Sequence, residues 1–224
     1  MSSGLKLAGL AGIASVALGV IAVPIDQMWS FPATGATGDE IALFAQAHRT
    51  ALLVAMFLTT ITVGLWLVFG IGVWLRLREA TGTESILSAC FLAGLICFVA
   101  LLLAGFTPFL LLVYRAPEVS DPRLLYDLSF ALLAISGLPT ALALGSYAGL
   151  VFRSGCLPRW TASLAIAAAL AHLLLLASLV VRNGFFSLEG GVTIAIPATL
   201  FAWIAGTSWV MLTEGRSIES KSTI

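Results

Sequence analysis

The chain predicts an all-α, polytopic integral membrane bundle of six transmembrane helices with both termini inside. Three observations carry that expectation. The composition is 60% hydrophobic and only 10% charged, with a mean hydropathy of +1.07, whereas soluble domains carry about 25% charged residues. The charges fall between six uncharged runs, each reaching the roughly 18 to 20 residues a helix needs to cross about 30 Å of hydrocarbon. The runs are also continuously apolar rather than alternating, which excludes the strands of a membrane barrel. The connections are too short for a soluble domain, so 1–224 reads as one transmembrane domain.

Taken in order, the first span covers about 6–25. It follows Lys6, but it is longer than the roughly 7 to 15 residues of a signal-peptide core and no A-x-A site follows it, so it reads as retained. The second, about 50–75, is preceded by TGATGDEIALFAQAHR. There Thr37 and Glu40 form a capping box, and Asp39 stands in the first turn, where negative charge suits the helix dipole. A helix starting there and running unbroken to Leu75 spans about 57 Å at 1.5 Å per residue. Its first turns must then project outward, tilt steeply or fold back over the bundle. The third span covers 86–114 and the fourth 128–152, the latter introduced by Asp121-Pro122, with proline at its favoured first helical position. The fifth, 160–181, contains His172, and the sixth, 190–213, leads into a polar tail.

Lys and Arg set the orientation. With the N-terminus inside, inner segments hold Lys6, Arg76, Arg78, Arg153, Arg159, Arg216 and Lys221, and outer loops hold Arg49, Arg115, Arg123 and Arg182. The inner excess favours N-in and C-in. Aromatic belts agree, with Trp74, Trp160 and Trp209 at one interface and Trp29, Phe31, Tyr114, Tyr126, Phe185 and Phe186 at the other. Cys90, Cys97 and Cys156 match no zinc or redox spacing and read as free thiols. There is no glycine-rich phosphate loop, HExxH, CxxC, histidine cluster or GxSxG. No cofactor, metal or nucleic-acid partner is expected. Small-residue pairs at Ser15/Gly19 and Gly145/Gly149 suit helix packing or self-association.

Candidate site residues come from where polarity enters the apolar spans. His172 is the one ionisable residue inside any of the six runs, near mid-bilayer, among Ala165, Ala168 and Ala169; such a residue is a functional candidate by default. His48, Ala55, Thr59, Thr62 and Trp66 share a face of the second span, which directs that polar stripe into the bundle and sets His48 at its outer mouth. Pro108, Pro139 and Pro197 interrupt three spans, with Thr107, Ser136, Thr140, Thr193 and Thr199 nearby, and together they suggest a cavity open to the outer side. Arg123 and Asp127 stand four apart, placed to pair. Asp127 and Glu189 are the carboxylates closest to hydrocarbon, where desolvation favours general-acid behaviour.

These residues lead to a membrane protein that binds or transforms a hydrophobic small molecule such as an isoprenoid, sterol or lipid. Acid–base isomerisation or cyclisation would use Asp127 or Glu189 as acid and His48 as base. Arg49, Arg123, Thr59, Thr62 and His172 would bind the ligand. The competing reading is a non-catalytic accessory subunit, with membrane lipid, a second copy or a larger membrane complex as partner; a transporter using His172 is the third. The location expected is the cell membrane.

Overall fold

A computed structural model describes residues 2–26, 30–33, 35–82, 85–188 and 190–222. They are almost wholly helical: α1 (Ser2–Asp26), α2 (Gly38–Ala47), α3 (Arg49–Thr81), α4 (Ile86–Tyr114), α5 (Pro122–Ile135), α6 (Gly137–Ser154), α7 (Arg159–Leu174), a 3₁₀ turn at Leu175–Leu179, and α8 (Val192–Ser222). Six segments are long and apolar enough to cross a membrane: Ser3–Ile25, Arg49–Thr81, Ile86–Tyr114, Pro122–Ser154, Arg159–Leu179 and Ala195–Thr213. Outward faces carry large apolar side chains such as Val20, Phe57, Leu170 and Trp209, as expected of helices solvated by lipid tails. Trp29 and Glu189 lie outside the described residues.

The spans close into a ring in sequence order. α1 packs on α3, α3 on α4, α4 on α5 and α6, α6 on α7, and α7 on α8, which returns to α1. Short connections enforce antiparallel neighbours, and an even number of spans brings the last beside the first. Small residues let α1 seat closely between its neighbours: a Cβ on Gly72 of α3 would collide with that of Ala8. Ser15 is buried and its hydroxyl donates to the Gly12 carbonyl, so this stripe serves packing within the chain. Gly145 on α6 has open space before it.

Helix ends follow local chemistry. The capping box forms: the Thr37 backbone N–H donates to Glu40 Oε2 at 2.7 Å, and the Glu40 N–H returns to Thr37 Oγ1 at 3.3 Å. Asp121 Oδ1 accepts from the Leu124 N–H at 2.9 Å, beginning α5 behind Pro122. The helix from Thr37 does not run unbroken; it stops at His48, whose φ/ψ of −112°/13° leave the helical region. α2 then folds back against α4 and α5, burying Ile41 and Ala45 on Leu52, Phe109, Leu112 and Tyr126.

Glu40 makes that end pH-sensitive. The bond from the Thr37 backbone N–H, reinforced by the Thr37 hydroxyl, holds its carboxyl below the ordinary 4.5. A depressed folded pKa gives stabilisation that is complete above the unfolded value and fades as pH falls through the lower folded one. Amide exchange in the first turn of α2 is therefore expected to accelerate below about pH 4.5 relative to that of α4. Glu40→Gln should flatten the profile; an unchanged profile in that variant would remove the capping box as its cause.

Candidate functional site

Three core clusters fill the ring. The largest joins α3, α4, α6, α7 and α8 around Phe69, Phe91, Tyr147 and Trp203. Its buried Tyr147 hydroxyl donates to Thr161 Oγ1 at 2.7 Å. A second joins α2 to α3, α4 and α5, and a small third joins Leu175 to Val192 and Ile196. Where the three meet they leave a cavity of about 210 Å³. It lies in the half of the bundle that carries α2, and every span contributes to its wall: Val23 from α1, Thr59 and Trp66 from α3, Phe98 and Phe106 from α4, Ser129 and Phe130 from α5, His172 from α7, and Thr193 and Pro197 from α8.

Interrupted helices shape this wall. The fourth span breaks at Ser136, three residues before Pro139, and resumes at Gly137; the Thr140 hydroxyl covers the Ser136 carbonyl at 2.7 Å. The fifth tightens into the 3₁₀ turn just after His172. The two breaks touch. A Cβ on Gly137 would collide with the His172 carbonyl oxygen and approach the Leu175 Cβ at 3.3 Å, so glycine alone lets the junction cross the end of α7. In α4, which runs through Pro108, the Gly105 carbonyl accepts the Ser129 hydroxyl from α5 and ties the two helices together at the cavity wall.

His172 is 3% exposed, and its Nδ1 lies 2.8 Å from the Ala168 carbonyl one turn earlier. A carbonyl can only accept, so Nδ1 carries the proton. Among the described residues no protein group bonds Nε2, and no carboxylate lines the cavity. An imidazolium there would be an unbalanced buried charge, which is costly. The ring is neutral, with Nε2 as a bare acceptor.

Phe31 roofs the cavity. Its ring centroid lies 5.5 Å from Phe44, 6.0 Å from Phe109 and 5.8 Å from Phe130. Its segment is pinned by the Tyr126 hydroxyl, which donates to the Pro32 carbonyl at 2.9 Å. The floor is Trp66, stacked on Phe98 at 5.5 Å and met edge-on by Phe201 at 5.8 Å.

The residues singled out in the sequence part company here. Thr59 and His172 both line the cavity. Thr62 is buried and donates to the Leu58 carbonyl at 3.0 Å, off the cavity wall. His48 sits at the α2–α3 junction with its ring 5.0 Å from Phe44. Arg49 donates to the Tyr114 carbonyl at 3.0 Å and covers the Tyr114 ring at 5.5 Å, tying the start of α3 to the end of α4 rather than facing the cavity. Arg123 and Asp127 pair at 3.6 Å with half of each side chain exposed. None of these last four lines the cavity, and Glu189 is outside the described residues. Most of the apolar wall, Phe98, Phe106 and Phe130 among it, and the Ser129 hydroxyl went unread in the sequence, and Phe31 was read only as part of an aromatic belt. Ser129 had a signal, as a lone hydroxyl in an apolar stretch; Phe31 had none beyond being aromatic in a loop.

No family model, curated protein or solved structure matches the chain.

Proposed function

We propose that this chain is a multi-pass membrane protein that binds a small apolar molecule in the cavity beneath Phe31, reached from the outer face in the N-in orientation. The observation that carries the reading is unfilled volume where all six spans converge. Protein interiors pack to crystal-like density, so a recess of about 210 Å³ lined by all six spans is room that a small guest molecule can fill. The lining is mainly aromatic and aliphatic with a few polar groups, the usual make-up of a small-molecule site. Apolar cavities of about 150 Å³ take up benzene, so this one suits a single ring or the end of a longer isoprenoid or lipid.

Acid–base isomerisation or cyclisation is a narrower form of this reading. It requires Asp127, Glu189 or His48 to reach the ligand, and Asp127 and His48 do not line the cavity. Binding without conversion is therefore the form adopted. Turnover lost in Asp127→Asn or Glu189→Gln, with yield and fold intact, would reverse that choice.

A second reading, an accessory subunit, draws on the open Gly145 face of α6, where a helix of a partner or second copy can approach closely. Native mass spectrometry of the protein extracted with its own lipids separates the two. The expected result is a discrete bound mass of at most a few hundred daltons that disappears in Thr59→Phe, which fills the cavity. Bare protein carrying only bulk lipid would sink the ligand reading, and a stoichiometric protein partner would favour the accessory one.

A further inference from the structure

The hydrogen-bond polarity of the cavity narrows the ligand class. Four polar side chains around it have already committed their protons to backbone carbonyls. His172 Nδ1–H goes to Ala168, Ser129 to Gly105, Ser136 to Leu133 and Thr193 to Gly190. What each retains is acceptor capacity: the bare Nε2 of the neutral imidazole and the lone pairs of three hydroxyls. The Trp66 indole N–H is buried and, among the described residues, has no hydrogen-bond partner. Thr59 is the exception. Its neighbours Thr60 and Thr62 donate to Met56 and Leu58, but among the described residues no such bond ties down the Thr59 hydroxyl, leaving one rotatable group able to donate or accept.

A ketone, quinone or ether could accept from Thr59 but, like a pure hydrocarbon, brings no donor for Nε2. An acceptor closed off from water without a partner weakens binding. Resting on the ligand reading above, we infer that the molecule bound here supplies its own donor to His172 Nε2: it is an apolar alcohol or phenol. A hydroxyl fits both sides of the lining, because it donates to the imidazole and still accepts from Thr59.

The test uses the full chain in detergent micelles and three probes of nearly equal shape: p-cresol, 4-methylanisole and p-xylene. Binding is measured by ligand-observed NMR against Thr59→Phe as the background for micelle partitioning. The protein is ¹⁵N-labelled at its two histidines, and His48→Gln assigns the His172 signals. The expected result is p-cresol binding about tenfold more tightly than the other two, which corresponds to about 1.4 kcal/mol, with the Nε2 resonance moving for p-cresol alone. Equal binding of all three, lost in Thr59→Phe, would leave the cavity as a ligand site and overturn the donor requirement. A p-cresol preference with an unmoved Nε2 would overturn His172 as the acceptor. No binding above background would remove the ligand reading itself.

Discussion

Gly137→Ala is expected to lower the stability of the folded bundle by about 3 kcal/mol, the upper end of the usual cost of overpacking, and to abolish ligand binding. The reason is geometric. The added methyl meets the His172 carbonyl oxygen and comes within 3.3 Å of the Leu175 Cβ. Neither obstacle is the far end of a side chain that can rotate away. Relief requires the α5–α6 junction to move off the end of α7, which carries Ser136 and His172 apart at the cavity wall. Gly145→Ala on the same helix is the control, because nothing stands in its way. There alanine's better helix propensity should give a change within about 1 kcal/mol, on the stabilising side. Reversible unfolding in mixed micelles reads both variants. If the two behave alike, the contact between the broken fourth and fifth spans is not a constraint on the fold.

The same junction marks where sequence reasoning reaches and where it stops. The number of long apolar helices is legible because it follows from length and hydropathy alone, and all six uncharged runs correspond to helices long and apolar enough to cross a membrane. Caps are legible because they are local: Thr37 with Glu40 and Asp121 ahead of Pro122 close within one turn. The inward stripe of Ala55, Thr59, Thr62 and Trp66 follows from helical period, and Ala55, Thr62 and Trp66 are buried. The break at His48 is different, since EIALFAQAHRTALLV has no helix breaker. The helix turns there because folding α2 over α4 and α5 buries Ile41 and Ala45, a gain that no local pattern announces. The i,i+4 pair of Arg123 and Asp127 is legible for the same local reason as the caps and forms at 3.6 Å, whereas whether Asp127 reaches the cavity depends on how the spans pack, and it does not line it. His172 stands out in the sequence as a lone ionisable group. That its Nδ1 proton is spent on its own helix at Ala168 is a matter of rotamer and appears only in three dimensions.

Phe31→Ala is expected to accelerate p-cresol exchange by at least about tenfold while changing its equilibrium affinity by much less, together with a stability loss of about 2 kcal/mol. Full burial of a phenylalanine makes truncation to alanine cost about 3 to 5 kcal/mol. Phe31 is partly rather than fully buried, so a figure below that range applies, even with its aromatic contacts to Phe44, Phe109 and Phe130. The kinetic effect follows from position. Phe31 lies over the cavity at its α2 end, in a segment tied down by the Tyr126–Pro32 hydrogen bond, so a ligand leaving by that end must displace the ring. Removing the ring lowers the barrier for entry and exit alike, and rates then change more than their ratio. Thr59→Phe acts oppositely, since it removes the volume in which the ligand sits and must act on affinity. Exchange spectroscopy on p-cresol distinguishes these roles. If Phe31→Ala weakens binding with exchange otherwise unchanged, Phe31 is a wall of the site and the ligand enters laterally between spans. If it speeds exchange at near-constant affinity, the roof sets the rate of access, and α2 with its preceding loop acts as the cover of a site whose binding strength is set below, at Thr59 and His172.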